Sequence, residues 1–316
     1  MKVILNEGGL AADDPRLAAA APDATFVVVN TEDELRDQGR DAEVCWGGRW
    51  LPTLLAHAPG LQWVASMSAG VEGYLRHLAE RPEIRLTSGA GTFDVPIAEH
   101  LMALLLALRR GLPESFRAQQ AHEWHRRGPL GELRDTTLGI IGLGHIGSEL
   151  ARMASAGFGM NVLAYRRQPS APPPGVAEVF SGRDGLLAMM RRCDQVAVTA
   201  ALTPETRGLL DAEALDCLPP HAVITNIGRG AIIDQAALTE RLADGRLAGA
   251  GLDVFAPEPL PSDDPLWDLP NVIVTPHHAG SSVHTGRRKV DLFIENLRRY
   301  ASGEPLLNEV DRSRGY

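Results

Sequence analysis

Short, uniformly apolar runs rich in β-branched residues recur along this chain, and they restrict its fold more than any other feature. A first series comprises KVIL (2–5), TFVVVN (25–30), EVCW (43–46), LQWVAS (61–66) and IRLTS (84–88). A second comprises TLGIIG (137–142), NVLAY (161–165), QVAVT (195–199), AVITN (222–226), AGAGLDV (248–254) and VIVTP (272–276). The runs are continuous rather than alternating, which suits strands covered on both faces. The segments between them are long enough for crossover helices. The expectation is an α/β protein with two parallel sheets.

Length agrees, since 316 residues suggest two domains and the 44 % apolar content suffices for sizeable cores. A formal net charge of −9 gives no overall support for gripping nucleic acid or an anionic membrane. Local basic clusters, Arg126-Arg127 and Arg287-Arg288-Lys289, read as solvated faces. Cys45, Cys193 and Cys217 are odd in number and irregular in spacing, which argues against a disulfide framework and a zinc cluster. No metal is expected. The N-terminal apolar stretch is too short for a signal peptide, and the longest apolar run, 101–108, falls far below the ~20 residues of a membrane span. A cytoplasmic protein is expected.

The two series meet at GTFDVPIAEHLMALLLALRRG (91–111). Asp94 with Pro96 predicts a helix start, and Gly111 with Pro113 a stop. Apolar nearly all round, this helix should be buried, either between domains or in a subunit interface. The polar stretch 112–136, carrying Trp124, reads as an extended arm, and PSAPPPG (169–175) as a stiff loop. A further helix is expected in KVDLFIENLRRYASG (289–303).

Gly142, Gly144 and Gly147 form G-x-G-x-x-G directly after one expected strand and at the opening of a helix. The first glycine permits a tight turn, the second lets backbone approach a pyrophosphate, and the third allows close helix–strand packing. With the amides of His145 and Ile146 at the helix start, this predicts dinucleotide binding. An acidic residue about 20 positions on would accept from an adenosine ribose. Here residue 166, nineteen positions after Gly147, is arginine, and so is residue 167. Two guanidiniums match a 2′-phosphate in charge and geometry, so NADP(H) is favoured, with NAD(H) the alternative.

Three titratable or charged side chains follow three strands of the second series: Arg229 after AVITN, Glu258 after GLDVFAP, and His277 after VIVTP. Ligands of open parallel sheets bind beyond the carboxyl ends of strands. Reducing a 2-keto acid needs a hydride donor, a proton donor at the ketone oxygen and a cation for the carboxylate. Arg229 suits the anchor and His277 the proton donor, while Glu258 orients the imidazole and favours its charged form. Asp253 is placed to meet the nicotinamide end. His278 is a second candidate donor, though the TPH register favours His277; His145 is a solvent-side residue, and His100 and His221 read as ordinary helix or loop histidines.

The motifs SAGVEGY (68–74), PIAEHLMALLLALRR (96–110), LGIIGLGHIGSELA (138–151), LTPETRGLL (202–210), NIGRGAIID (226–234), GLDVFAPEPLP (251–261) and PLWDLPNVIVTPHHAG (265–280) occur in an order that resembles the D-isomer-specific 2-hydroxyacid dehydrogenase family. The resemblance implies a catalytic trio of Arg229, Glu258 and His277, with backbone amides near Ala69, Gly70 and Val71 also holding the substrate carboxylate. It extends the cofactor contacts to Thr203 and Ile227. It implies two doubly wound domains: a flavodoxin-like substrate domain, 1–98 and 284–316, interrupted by a Rossmann cofactor domain, 99–283. A homodimer joined through 96–136 is implied, with Trp124 directed toward the partner's active site. Arg166-Arg167 and the VCWGG segment resemble the glyoxylate/hydroxypyruvate reductase branch, with Trp46 as a pocket wall or a core residue. Two other readings of the scaffold are a dinucleotide-sensing, corepressor-like binding protein and a phosphite-type dehydrogenase.

Overall fold

The computed structural model describes residues 1–126 and 128–315. Arg127, half of the first basic pair, therefore lies outside the described residues. The chain divides into two compact units, Met1–Phe93 with Ser282–Tyr316, and Asp94–Ser281. The first joint falls at the N-terminus of a helix rather than at residue 98, because helix Asp94–Arg109 is one hydrogen-bonded element and goes whole to the second unit.

In the first unit β1 (Lys2–Leu5), β2 (Thr25–Val28), β3 (Val44–Trp46), β4 (Trp63–Ala65) and β5 (Arg85–Thr87) form a parallel sheet in the order β2-β1-β3-β4-β5. This is the flavodoxin-like strand order. The continuous apolar runs are explained by two covers. Ile4, Cys45, Val64 and Leu86 pack with Leu35, Leu54 and Leu78, which sit on or beside short helices of one face. Val3, Leu5, Trp46 and Trp63 point the other way, onto Leu17 and onto Val290, Phe293 and Leu297 of helix Thr285–Ser302.

The rings on this second face form a continuous aromatic column. Phe293 stacks on Trp46 at 5.4 Å and on Trp63 at 5.7 Å, and Trp63 stacks on Tyr300 at 5.3 Å. Trp63 Nε1 donates to Thr87 Oγ1 at 3.0 Å, which satisfies the indole. Trp46 is 1 % exposed and packs in this core, while its edge also lines a small cavity with Ser66, Met67 and Lys289.

The second unit carries β6 (Thr137–Ile141), β7 (Asn161–Tyr165), β8 (Glu178–Phe180), β9 (Gln195–Val198), β10 (Val223–Asn226), β11 (Gly249–Leu252) and β12 (Val272–Val274). All pairings are parallel, in the order β12-β11-β10-β9-β6-β7-β8, which is the Rossmann order with one added strand. Sequence reasoning missed β8. It is a three-residue edge strand, EVF, too short to show periodicity and masked by the preceding proline-rich loop.

Helix Asp94–Arg109 packs on β11. A Cβ at Gly249 would lie 3.2 Å from Leu108 Cδ2, and one at Gly251 3.0 Å from Leu104 Cβ, so two glycines in the strand make the groove that the helix fills. The 112–136 stretch is not wholly extended. Leu112–Gln120 is helical, because Gly111 in the left-handed region (φ 64°) ends one helix and caps the next, whose first turn holds Pro113. Leu112, Phe116, Trp124 and Leu130 remain exposed, Trp124 by 90 %. Among the described residues no helix is long and apolar enough to cross a membrane.

Removing one of the two inner rings of the column tests its weight. Phe293→Ala should lower unfolding free energy by about 3–5 kcal/mol, read as a shifted midpoint in denaturant; a shift near zero would mean that the first unit does not lean on the C-terminal helix.

Candidate active site

β6 delivers the glycine loop, and each glycine occupies a different environment. Gly142 has φ +100°, and a Cβ there would lie 2.6 Å from Ala200 Cα. A Cβ at Gly147 would strike the carbonyl oxygen of Gly142, whereas one at Gly144 would meet nothing within 4 Å. Two glycines thus serve packing and the middle one leaves the loop open. Gly144 caps helix His145–Arg152 with no side-chain acceptor, so the first-turn amides, among them His145, Ile146 and Gly147, lack a side-chain partner at the cap. Open approach, free amides and the helix dipole together fit a dinucleotide pyrophosphate. His145 is exposed, with Nδ1 3.7 Å from Asp94 Oδ2, a neighbour that sequence distance concealed.

Arg166 and Arg167 follow β7 and are both exposed. The Arg166 amide donates to Phe180 O of β8 at 3.0 Å, and its Nη1 donates to Ser170 Oγ at 3.0 Å. The Thr203 loop lies within electrostatic reach of Arg167. The hydroxyl of Thr203 chiefly, and the Arg167 charge in addition, hold the Glu205 carboxyl below the usual range. Thr203 is itself buried, its amide donating to Thr206 Oγ1 at 2.8 Å. Ile227 is also buried, its amide donating to Val198 O at 3.2 Å, so its side chain belongs to the core.

The glycines flanking Arg229 have a steric cause. A Cβ at Gly228 would lie 2.7 Å from Ala200 O, and one at Gly230 would overlap the backbone of Phe255. Only glycine lets the loop after β10 sit against the chain leaving β9 on one side and β11 on the other. Asn226 closes the turn: Gly228 N donates to its Oδ1 at 3.0 Å, and its Nδ2 donates to Arg229 O at 3.1 Å. Arg229 itself has extended backbone and a half-buried side chain whose Nη1 donates to Gly228 O at 2.6 Å.

Phe255, against which Gly230 packs, also donates its amide to Glu258 Oε1 at 2.9 Å. The other carboxylate oxygen, Glu258 Oε2, stands 2.7 Å from His277 Nδ1. A carboxylate only accepts, so Nδ1 carries the proton and the imidazole turns its Nε2 edge outward. His277 lies in the left-handed region (φ 51°), with its amide donating to Asp253 O at 2.9 Å. Among the described residues Glu258 pairs with His277, the histidine of the TPH register.

Asp253 is 1 % exposed and its carboxylate is engaged internally: Oδ1 accepts from Thr275 Oγ1 at 2.6 Å and from the His278 amide at 3.1 Å, Oδ2 from the Ala279 amide at 2.9 Å. It braces the histidine loop. His100 joins this brace, its Nε2 3.1 Å from Thr275 Oγ1 and 3.9 Å from Asp253 Oδ1. Because Thr275 gives its one proton to Asp253, His100 Nε2 must donate. Burial lowers the His100 pKa, Asp253 opposing and His278 adding to the fall. His100, Asp253 and His278 lie close enough to hold an ion, but the Asp253 oxygens already accept three hydrogen bonds. Sequence reasoning missed His100, Thr275 and Asn226, and only the polar character of Thr275, two residues before His277, hinted at a role. Ala69, Gly70 and Val71 lie in the first unit, in the loop from β4 into helix Glu72–His77.

Residues 102–279 match the family described as D-isomer specific 2-hydroxyacid dehydrogenase, NAD binding domain. Glyoxylate/hydroxypyruvate reductase B of Pectobacterium atrosepticum is 35 % identical over 273 residues, covering 84 % of this chain and 83 % of that protein. A D-isomer specific 2-hydroxyacid dehydrogenase of Xanthobacter autotrophicus, solved with NADPH and MES, aligns with a TM-score of 0.85 at 32 % identity over 100 % of this chain and 99 % of that one. The NADPH-dependent glyoxylate/hydroxypyruvate reductase of Sinorhizobium meliloti, solved with NADP and sulfate, aligns with a TM-score of 0.84 at 31 % identity, again over 100 % and 99 %. With its 5- and 7-stranded parallel sheets and its glycine loop, the chain belongs to the D-isomer specific 2-hydroxyacid dehydrogenase family and is an NAD(P)-dependent enzyme of that family.

Proposed function

We propose that this enzyme reduces small 2-keto acids of the glyoxylate/hydroxypyruvate kind to D-2-hydroxy acids, reversibly and with NADP(H) preferred. The observation that carries the reading is the His277–Glu258 pair, 2.7 Å apart, on a loop system that packs directly against the one bearing Arg229. When bound, the dinucleotide supplies the hydride. His277 delivers a proton from Nε2 to the ketone oxygen, and Glu258, fixed by the Phe255 amide, holds the ring in place through Nδ1. Arg229 takes the carboxylate and polarises the adjoining carbonyl. In the first unit, the backbone of Ala69, Gly70 and Val71 is the further substrate contact in this reading.

Preference for NADP(H) rests on charge at the end of β7, where Arg166 and Arg167 stand in place of a ribose-accepting acid. Relatives solved with NADPH or NADP agree with it. A homodimer is the assembly that accounts for the exposed Leu112, Phe116, Trp124 and Leu130. Free Cys45, Cys193 and Cys217 suit a reducing, cytoplasmic setting.

Steady-state kinetics with hydroxypyruvate and NADPH test the assignments. His277→Ala should lower kcat by about 10²–10⁴-fold, and a change confined to KM would remove the proton-donor role. Arg229→Ala should raise KM and lower kcat together, costing about 10²–10³-fold in kcat; kinetics like those of the parent would reject the anchor. Arg166→Asp should move the ratio of specificity constants from NADPH toward NADH, and an unmoved ratio would refute the 2′-phosphate reading.

A further inference from the structure

Helix Asp94–Arg109 and strand β11 share a register that ends in a polar pair. Four residues of helix advance about 6 Å and two residues of strand about 6.6 Å, so matched positions stay opposite one another. A Cβ at Gly249 would meet Leu108, and one at Gly251 would meet Leu104. One further step along both elements brings His100 to Asp253, with Nε2 3.9 Å from Oδ1. Leu108, Leu104 and His100 are therefore one stripe of the helix, and Gly249, Gly251 and Asp253 one side of the strand and its exit.

Packing does not call for this last pair. The two leucine steps fill grooves made by glycine, and a third apolar step would need no hydrogen bonds at all. Instead a half-buried imidazole stands by a buried carboxylate, and Thr275 Oγ1 joins them, 3.1 Å from His100 Nε2 and 2.6 Å from Asp253 Oδ1. Burial keeps the His100 pKa low, so the ring is neutral at physiological pH and its single proton is the one given to Thr275. The ring also meets that of His278 edge-on, with centroids 5.6 Å apart and planes at 89°.

These contacts converge on the turn that carries His277. Thr275 is its first residue, and residue 253 holds the rest: the Asp253 carbonyl accepts from the His277 amide, and its carboxylate from the amides of His278 and Ala279. His277 has φ 51°, a region that a residue with a Cβ occupies only when its surroundings hold it there.

We propose that His100 is a positioning residue for the proton transfer: its donation to Thr275 locks the 275–279 turn, keeps His277 left-handed against Glu258, and so fixes where Nε2 points. This rests on the reading of His277 as proton donor, and it moves part of the control to a helix histidine that acts through Thr275. Once Thr275 is released, His277 relaxes toward right-handed backbone and its imidazole leaves Glu258.

The test compares the parent enzyme with His100→Leu, His100→Gln, Thr275→Val and the double variant His100→Leu/Thr275→Val. With hydroxypyruvate and NADPH, His100→Leu should lower kcat about 10–100-fold, the effect of misplacing a reacting group by a fraction of an ångström to an ångström, while the dissociation constant for NADPH moves less than about 2-fold. His100→Gln, which offers an amide N–H at similar reach, should recover most of the loss. Thr275→Val should resemble His100→Leu, and the double variant should lose no more than the worse single one, because both act through one hydrogen bond. Apart from turnover, hydrogen exchange across 275–281 should quicken about 10-fold in His100→Leu, with β10 exchanging as in the parent. Parent-like kcat, a loss that His100→Gln does not recover, fully additive losses, or unchanged exchange across 275–281 would each overturn the proposal. Should His100→Leu not fold, Thr275→Val with Thr275→Ser as its rescue gives the same readings. Absence of turnover in the parent would overturn the function proposed above instead, and the exchange measurement would still decide whether His100 holds the turn.

Discussion

Three contacts of backbone against backbone, each open only to glycine, hold the business end of the second unit together. Gly142 and Gly228 close on Ala200 from two directions, and Gly230 closes on Phe255. Through them the loops after β6, β9, β10 and β11 become one rigid surface. Side chains on that surface need little further fixing: Asn226 ties the Arg229 turn, and the Phe255 amide ties Glu258. An arginine between two glycines is thus a charge on a turn whose neighbours have been stripped to let three chains meet.

The sheets were legible because being covered on both faces leaves a plain mark, an unbroken apolar run. Among the described residues, eleven of the twelve strands coincide with such runs, the edge strand β2 being covered only in part, and the flavodoxin-like and Rossmann orders follow in the structure. β8 was not legible, since three residues at a sheet edge bury too little to impose a pattern. The helix Leu112–Gln120 was hidden for a different reason. Gly111 and Pro113 serve equally as the end of one helix and the beginning of another, and local sequence does not separate the two uses.

Within the site, residues with chemistry of their own stood out, and residues that act by holding others did not. Arg229, Glu258 and His277 follow strands, where position alone makes them conspicuous. His100 sits 175 positions from Thr275, its hydrogen-bond partner, and nothing local sets it apart from any half-buried helix histidine. Trp46 was open to two readings, pocket wall or core, and its ring does some of each: it stacks on Phe293 and also borders a small cavity. Asp253 likewise turns inward, where its carboxylate organises the turn that carries both histidines.

The return of the C-terminal helix to the first unit has a bearing on how the protein is made. Trp46 and Trp63 emerge early from the ribosome, but their cover, Phe293 and Tyr300, is translated only after the whole inserted unit. At about 5–20 residues per second, tens of seconds pass in which one side of the first sheet lies bare. The nucleotide-binding half can complete itself in that interval, so the order of maturation runs from the middle of the chain outward.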